Sequence, residues 1–341
     1  MRLGFKFICL LLFWGHSFSG ALAKNTSYKD TFPGDRTDGC YLLGRGPAVE
    51  VPKNPGLSFF LKDLFKDLQE KNWRNLYRYF HPRARVKKDI GDRVEAILGH
   101  RYQNPWQFSV FGIWAMVSKE KDKDFYRCEK AKNIRLISHS GYTNQYMLIV
   151  QLMGKNELGR LIFSVAPKPD KTLSIVGFHI QQWTHLGEDW LSWTQKGNSS
   201  LEKKDHKTAH IYYDIAQKLM DGGTFVVYDL KKDIVTERNK IYAREELVDL
   251  IRKELGNINI VYAGTIMSRT DTGMLVRVEI EKEYNAEDLQ KKCTVIGQGL
   301  LKNKWLEGVN GGVNCNFIPK GSDPNLNSKI GGYYIPRSKL I

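Results

Sequence analysis

The chain has 341 residues and carries 52 Lys and Arg against 37 Asp and Glu, a formal charge of +15. That length exceeds one ordinary domain and predicts two. The basic surplus directs the protein towards anionic polymers, lipid head groups or acidic proteins, and no segment beyond the N-terminal run is apolar enough to cross a bilayer.

At the N-terminus, Arg2 and Lys6 precede the apolar run Phe7 to Trp14, and a small-residue stretch closes with Ala21-Leu22-Ala23. This order predicts a secretory signal over residues 1–23, cleaved after Ala23. The rival reading is a membrane anchor, for which the run falls short of the roughly 20 residues required. Cleavage lowers the formal charge to +13, removes Cys9 and leaves Cys40, Cys128, Cys293 and Cys315. An even cysteine count in an exported, oxidised setting predicts disulfides, with four buried thiols as the alternative. One pair falls in each half, which favours Cys40 with Cys128 and Cys293 with Cys315. No C-x-x-C occurs, so thiol redox catalysis and a zinc knuckle lack support. Periplasmic or extracellular placement also removes nucleic acid from the expected partners. Acids interleave with the lysines in "LKDLFKDLQEK" and "SKEKDKD", so part of the basic surface reads as simply solvated.

Residues 24–55, rich in Gly, Pro, Asp and Thr, read as an N-terminal arm. A first domain is predicted over 56–195. Phe60, Leu61, Leu64, Phe65, Leu68, Trp73, Leu76, Tyr77 and Phe80 recur at helical intervals, with Asn72 breaking them into two helices. "GDRVEAIL" reads as a third, short helix capped by Asp92. Strands follow in "WQFSVFGIWAMVS", "FYRCEKAKNIRLISH", "QYMLIVQLMG", "GRLIFSVAPK" and "LSIVGFHIQQW", separated by polar turns. The polar stretch 196–205 reads as a linker.

A second domain over 206–318 follows the same order. Helical spacing at Ile211, Ile215 and Leu219 gives way at Gly222-Gly223 to Phe225, Val226 and Leu230, and "REELVDLIRKEL" is a helix ended by Gly256. "NINIVYAGTIMSR", "GMLVRVEIEKEY" and "CTVIGQGLLKNKW" read as strands, the second alternating Met274, Val276, Val278 and Ile280 against polar neighbours. Asn72 to Phe80 aligns with Gly222 to Leu230, and Phe111-Gly112 with Ala263-Gly264. The paired glycines suit bends in a curled sheet. The predicted fold is α+β, two tandem domains each with a curled antiparallel sheet packed on an N-terminal helix pair plus a short helix. Residues 319–341 read as an extended tail, disordered or docked through Tyr333 and Tyr334.

"LQEKNWRNLYRYFHPRARV" resembles the opening of nuclear transport factor 2-like domains, and "LSIVGFHIQ" is similar to their closing strand. The resemblance spans roughly residues 57–183 and extends to residues 207–305 through element order alone. It implies a conical fold around an apolar pocket, used by different relatives for isomerisation, dehydration, binding or dimerisation. Catalytic relatives place a carboxylate or a His–Asp pair there. Here Asp122, Asp124, Glu157 and Asp170 fall in turns, where solvation is expected.

His81 and His179 are therefore the candidate catalytic residues, His81 also reading as a turn residue and His179 as an ordinary strand residue. Tyr77, Trp106, Trp114 and Gln181 are candidate ligand contacts on a shared concave surface. His206 and His210 stand four apart on a helix without a third ligand or the Glu of a zinc protease, so a solvated face is expected rather than a metal site. No phosphate loop, nucleophile elbow or dinucleotide fingerprint occurs, and no cofactor is expected. Asn25 and Asn198 sit in glycosylation sequons.

Trp183 ends the last strand of the first domain, and Trp190 and Trp193 lie three apart on a helical turn after Gly187. The cluster reads as a lid or inter-domain seam, or, for Trp190 and Trp193, as ligand contacts at a pocket mouth. Together these features predict an exported, non-catalytic binding or scaffolding protein of the bacterial cell envelope that recognises an anionic polymer, lipid or protein, paired modules adding avidity. The alternative is a small-molecule isomerase or dehydratase using His81 or His179.

Overall fold

The computed structural model describes residues 39–46, 54–84, 88–102, 106–118, 125–128, 133–139, 141–256, 258–281, 284–322 and 331–341. The signal sequence, most of the N-terminal arm, the Asn25 sequon, Asp122 and Asp124 lie outside the described residues.

The first half begins with strand β1 (Gly39–Gly46) and helix α1 (Pro55–Gln69). Asn54 caps α1 by accepting the Leu57 amide at 3.0 Å, and Pro55 fits the first turn, where no backbone donor is needed. The predicted second helix is a 3-10 segment over Trp73–Tyr79. Asp67, buried on α1, holds it by accepting from Asn75 Nδ2 at 2.9 Å, Arg78 Nη2 at 2.8 Å and the Tyr79 hydroxyl at 2.6 Å. Helix α2 (Ile90–Arg101) crosses this segment at Gly91, where a Cβ would lie 2.0 Å from the Trp73 carbonyl oxygen. Its N-cap position is Asp89, and Asp92 falls in the first turn.

Strands β2 (Gln107–Val117), β3 (Phe125–Arg127), β4 (Ile134–Ile137), β5 (Asn144–Met153), β6 (Leu158–Pro167) and β7 (Leu173–Gln182) follow. "FYRCEKAKNIRLISH" is thus two short strands rather than one. An antiparallel sheet runs β1-β2-β5-β6-β7, and the Cys40–Cys128 disulfide ties its edge to the end of β3. One face of this sheet, with Ile113, Ala115, Leu148, Val150, Leu161 and Phe163, packs on α1 and the 3-10 segment. The other, with Trp114, Met116, Met147, Ile149 and Ile162, belongs to a second core. Burial on both faces explains why "QYMLIVQLMG" is an almost unbroken apolar run instead of an alternating one.

A tight hairpin of β8 (Thr184–His185) and β9 (Glu188–Asp189) turns at Leu186 and Gly187, both at positive φ, as such two-residue turns require. Helices α3 (Trp190–Glu202) and α4 (His206–Leu219) are capped by Asp189 and Asp205, which accept the Ser192 and Thr208 amides. The supposed linker 196–205 is therefore the second half of α3 and a short turn, because two side-chain caps and the Gly197 contact with Tyr213 fix it. Beyond it lie β10 (Val226–Tyr228), α5 (Lys231–Ile241), α6 (Arg244–Glu254), β11 (Ile260–Met267), β12 (Thr272–Ile280), α7 (Ala286–Lys302), β13 (Val313–Pro319) and β14 (Gly331–Ile335).

The second half departs from a repeated meander. "CTVIGQGLLKNKW", read as a strand, lies mostly in α7, whose cap Asn285 accepts the Asp288 amide and whose buried stripe is Leu289, Cys293, Ile296 and Leu300. Helix α7 crosses between β12 and β13, which pair in parallel, in a sheet ordered β11-β12-β13-β14. Val226 to Tyr228, aligned in sequence with the second helix of the first half, form strand β10 instead. The tail docks as β14 beside β13, and Cys293–Cys315 joins α7 to β13. Both disulfides follow the expected pairing, and the fold is α+β.

Strand β10 pairs with β4 of the first half, so the halves share a sheet ordered β10-β4-β3. Phe225 seats on Gly177 of β7, where a Cβ would come within 2.4 Å of its ring. The second core runs without interruption from Trp114 and Ile149 through Ile215, Ile251 and Val276. The halves should therefore unfold together. Gly177→Ala should lower stability by about 1–3 kcal/mol through overpacking at this seam. Urea unfolding followed by tryptophan emission and by far-UV circular dichroism should give coincident curves for both proteins, whereas separate transitions would show two independent domains.

Candidate functional site

Where the second core meets the first sheet, the packing leaves a cavity of about 540 Å³. Phe111 on β2, Ile134 on β4, Trp183 after β7, Trp190 at the start of α3, Met220 and Leu230 supply apolar walls. Arg160 on β6 and Tyr228 on β10 supply polar groups within it, and Arg45 and Asn133 stand exposed at its rim. The site needs both halves, because β10 and α3 bring one wall and the first sheet brings the other. It also lies on the sheet face opposite α1, whereas the face towards α1 is filled by Leu57, Leu61, Leu64 and Leu68.

Arg160 decides the chemistry of this cavity. Its side chain belongs to a residue only 7% exposed, and burial lowers its pKa, with the Tyr228 hydroxyl opposing that shift. The guanidinium carbon lies 3.5 Å from the centre of the Trp183 ring and 4.2 Å from that of Phe111. Nη1 donates to the Tyr228 hydroxyl at 3.3 Å. That hydroxyl donates to Gln181 Oε1 at 2.7 Å, and Gln181 Nε2 donates to the Leu219 carbonyl at 2.8 Å. Tyr228 and Gln181 are thereby fixed, and burial raises the Tyr228 pKa so that it stays a neutral donor. Among the described residues no carboxylate pairs with Arg160, although a buried cation ordinarily has one. Ring quadrupoles offset part of that cost.

The residues expected to carry function separate widely. Trp190 lines the cavity, and Gln181 supports it from beneath through Tyr228. Trp193 is buried in the seam, its indole N–H donating to the His185 carbonyl at 3.3 Å. Trp114 is fully buried and presents no surface to a ligand. Trp106 packs on Trp73 beneath Lys71, and Tyr77 is exposed on the 3-10 segment. Tyr77, Trp106, Trp114 and Gln181 thus share no concave surface, since they stand on different faces of the first sheet. His179 Nε2 lies 3.1 Å from the Asp221 carbonyl, and the His81 amide donates to the Ile175 carbonyl at 2.8 Å. His206 is exposed but His210 is buried against Tyr242, so the two do not form one solvated face. No cluster of metal-ligating side chains occurs among the described residues.

Arg160, Tyr228, Phe111 and Trp183 belong to no sequence motif that marks a site. Their signal in the sequence is an arginine opening an apolar strand in "GRLIFSVAPK". Compared with family models, curated proteins and solved structures, the chain matches none.

Glu157 corrects another expectation, because it is buried instead of solvated. Its turn packs under Leu186, whose amide it binds, with Arg269 nearby, and Oε2 has no partner. Burial raises its pKa from 4.5 to about 7. Protonation therefore stabilises the fold, an effect complete below pH 4.5 and lost as pH rises through 7. Glu157→Gln should be more stable than the parent by about 1–3 kcal/mol above that pH and equal to it in acid. Urea midpoints across the interval would read this difference, and a constant difference at every pH would contradict the assignment.

Proposed function

We propose that this chain is an exported binding protein of the cell envelope or extracellular space, whose cavity takes a ligand with an anionic head and an apolar body. The observation that carries this reading is Arg160, a cation buried among Phe111, Trp183 and Tyr228 with no acid opposite it among the described residues. A ligand anion would supply the missing charge, and the apolar walls would take up the body. The two disulfides fit an oxidising compartment, as does the N-terminal Arg2, Lys6 and apolar run. The basic surplus, +15 over the full sequence and +13 without residues 1–23, would concentrate anionic ligands and surfaces around the protein. No helix among the described residues is long and apolar enough to cross a membrane.

Decanoate, decyl phosphate, decanol and decyltrimethylammonium serve as probes, with the tryptophan emission of the disulfide-bonded protein as the signal. The two anions should quench or shift it saturably, and the neutral and cationic chains should bind at least about tenfold more weakly, a difference of about 1.4 kcal/mol. Arg160→Met should retain the fold, because no acid among the described residues pairs with Arg160 and none is left uncompensated by its removal, and should lose the preference for anions. Equal binding of all four probes, or an unchanged preference in Arg160→Met, would reject this function.

A further inference from the structure

The way Arg160 is held restricts the shape of the anion as well as its sign. The Trp183 and Phe111 ring centres lie 3.5 and 4.2 Å from the guanidinium carbon. A ring centre 3.5 Å from the guanidinium carbon leaves room only for stacking, so Trp183 covers a face of the cation, and Phe111 crowds it at 4.2 Å. The edge of the plane, where the N–H groups point, is the approach that offers an anion hydrogen bonds. Nη1 is engaged by Tyr228 at 3.3 Å, which in turn is locked by Gln181. Nε and Nη2 have no partner among the described residues, and neither is sealed from solvent in the cavity that Arg160 lines.

We infer that the cavity selects a carboxylate-headed ligand over phosphate- or sulfonate-headed ones of the same body, Arg160 receiving both carboxylate oxygens on its Nε and Nη2 edge. The inference rests on the anion-binding reading above and narrows it. Two parallel N–H groups on one edge match the two oxygens of a planar carboxylate, which can lie in the guanidinium plane. A tetrahedral head would send its further oxygens out of that plane towards Trp183 and Phe111. Those ring faces offer no donor and carry the negative side of the aromatic quadrupole. Charge acts in the same direction. Among the described residues Arg160 is the single buried cation lining the cavity, with Arg45 exposed at the rim, so a dianionic head would bring one buried charge without a counterpart.

Trp190, Met220, Ile134 and Leu230 line the remainder of the cavity. They set no hydrogen-bonding requirement on the body, so a hydrocarbon or aryl chain suits it.

The test compares decanoate, decyl phosphate and decanesulfonate on the full exported chain at one ionic strength, by isothermal titration calorimetry. Decanoate should bind at least about tenfold more tightly than either tetrahedral anion. Arg160→Lys keeps the charge but replaces the two-donor edge with a point charge, and should bring the three affinities within about threefold of one another. Phosphate or sulfonate binding as tightly as carboxylate in the parent would overturn the inference while leaving an anion site in place. Failure of all three to bind would remove the anion site itself. The comparison of heads in the parent protein decides the matter even where the variant does not fold.

Discussion

The first sheet is apolar on both faces, and that constraint organises the molecule. Ile113, Leu148 and Phe163 on one side are covered by α1 and the segment after it, which the N-terminal half supplies for itself. Trp114, Met147 and Ile149 on the other side need a second cover, which the C-terminal half supplies together with Tyr126, Ile134 and Leu136 of β3 and β4. At roughly 25 cal/mol per Å² of apolar surface, leaving that face in water would cost more than a marginally stable fold can bear. Strand β10 therefore joins β4, Phe225 settles on Gly177, and the hairpin at Leu186 and Gly187 turns the chain back over the sheet edge. His185 in that hairpin is neutral and fully buried, and its ring bonds Gln182 on one side and Thr272 of the second half on the other.

The cavity sits in this cover, and its charge is the feature that folding alone does not require. A leucine at position 160 would meet the apolar walls without burying a charge. Arginine there is held by two aromatic rings and one tyrosine, a set that orients the cation without neutralising it. Two buried aspartates, by contrast, are neutralised by basic partners. Asp214 receives Lys218, Arg238 and two Thr265 donors, and Asp67 receives Arg78. The contrast separates groups that stabilise the fold from one kept ready for a ligand.

Much of this architecture was legible in the sequence. Long apolar strands, the helical spacing from Phe60 to Leu68 and the one-pair-per-half cysteine spacing specify local structure directly, whereas the caps at Asp189 and Asp205 lie in a polar stretch that reads as a linker. Helix α7 was misread because Thr294, Val295 and Ile296 suggest a strand, while the evidence for a helix lies upstream in the Asn285 cap and in the spacing from Leu289 to Leu300. The cavity was harder to see, since Arg160 and Tyr228 are 68 residues apart and meet only through the pairing of β10 with β4. Trp190 was identified through its aromatic neighbours, but Trp114, equally aromatic, is core. Residue type alone does not distinguish a wall of a cavity from filling.

The most direct measurement is a ¹H–¹⁵N spectrum of the arginine side chains in the full exported protein during titration with decanoate. One Nε–H resonance, assigned by its absence in Arg160→Met, should move downfield to saturation as that donor gains a carboxylate acceptor, while the other arginine resonances stay in place. An Arg160 resonance that remains stationary at saturating decanoate would contradict the account.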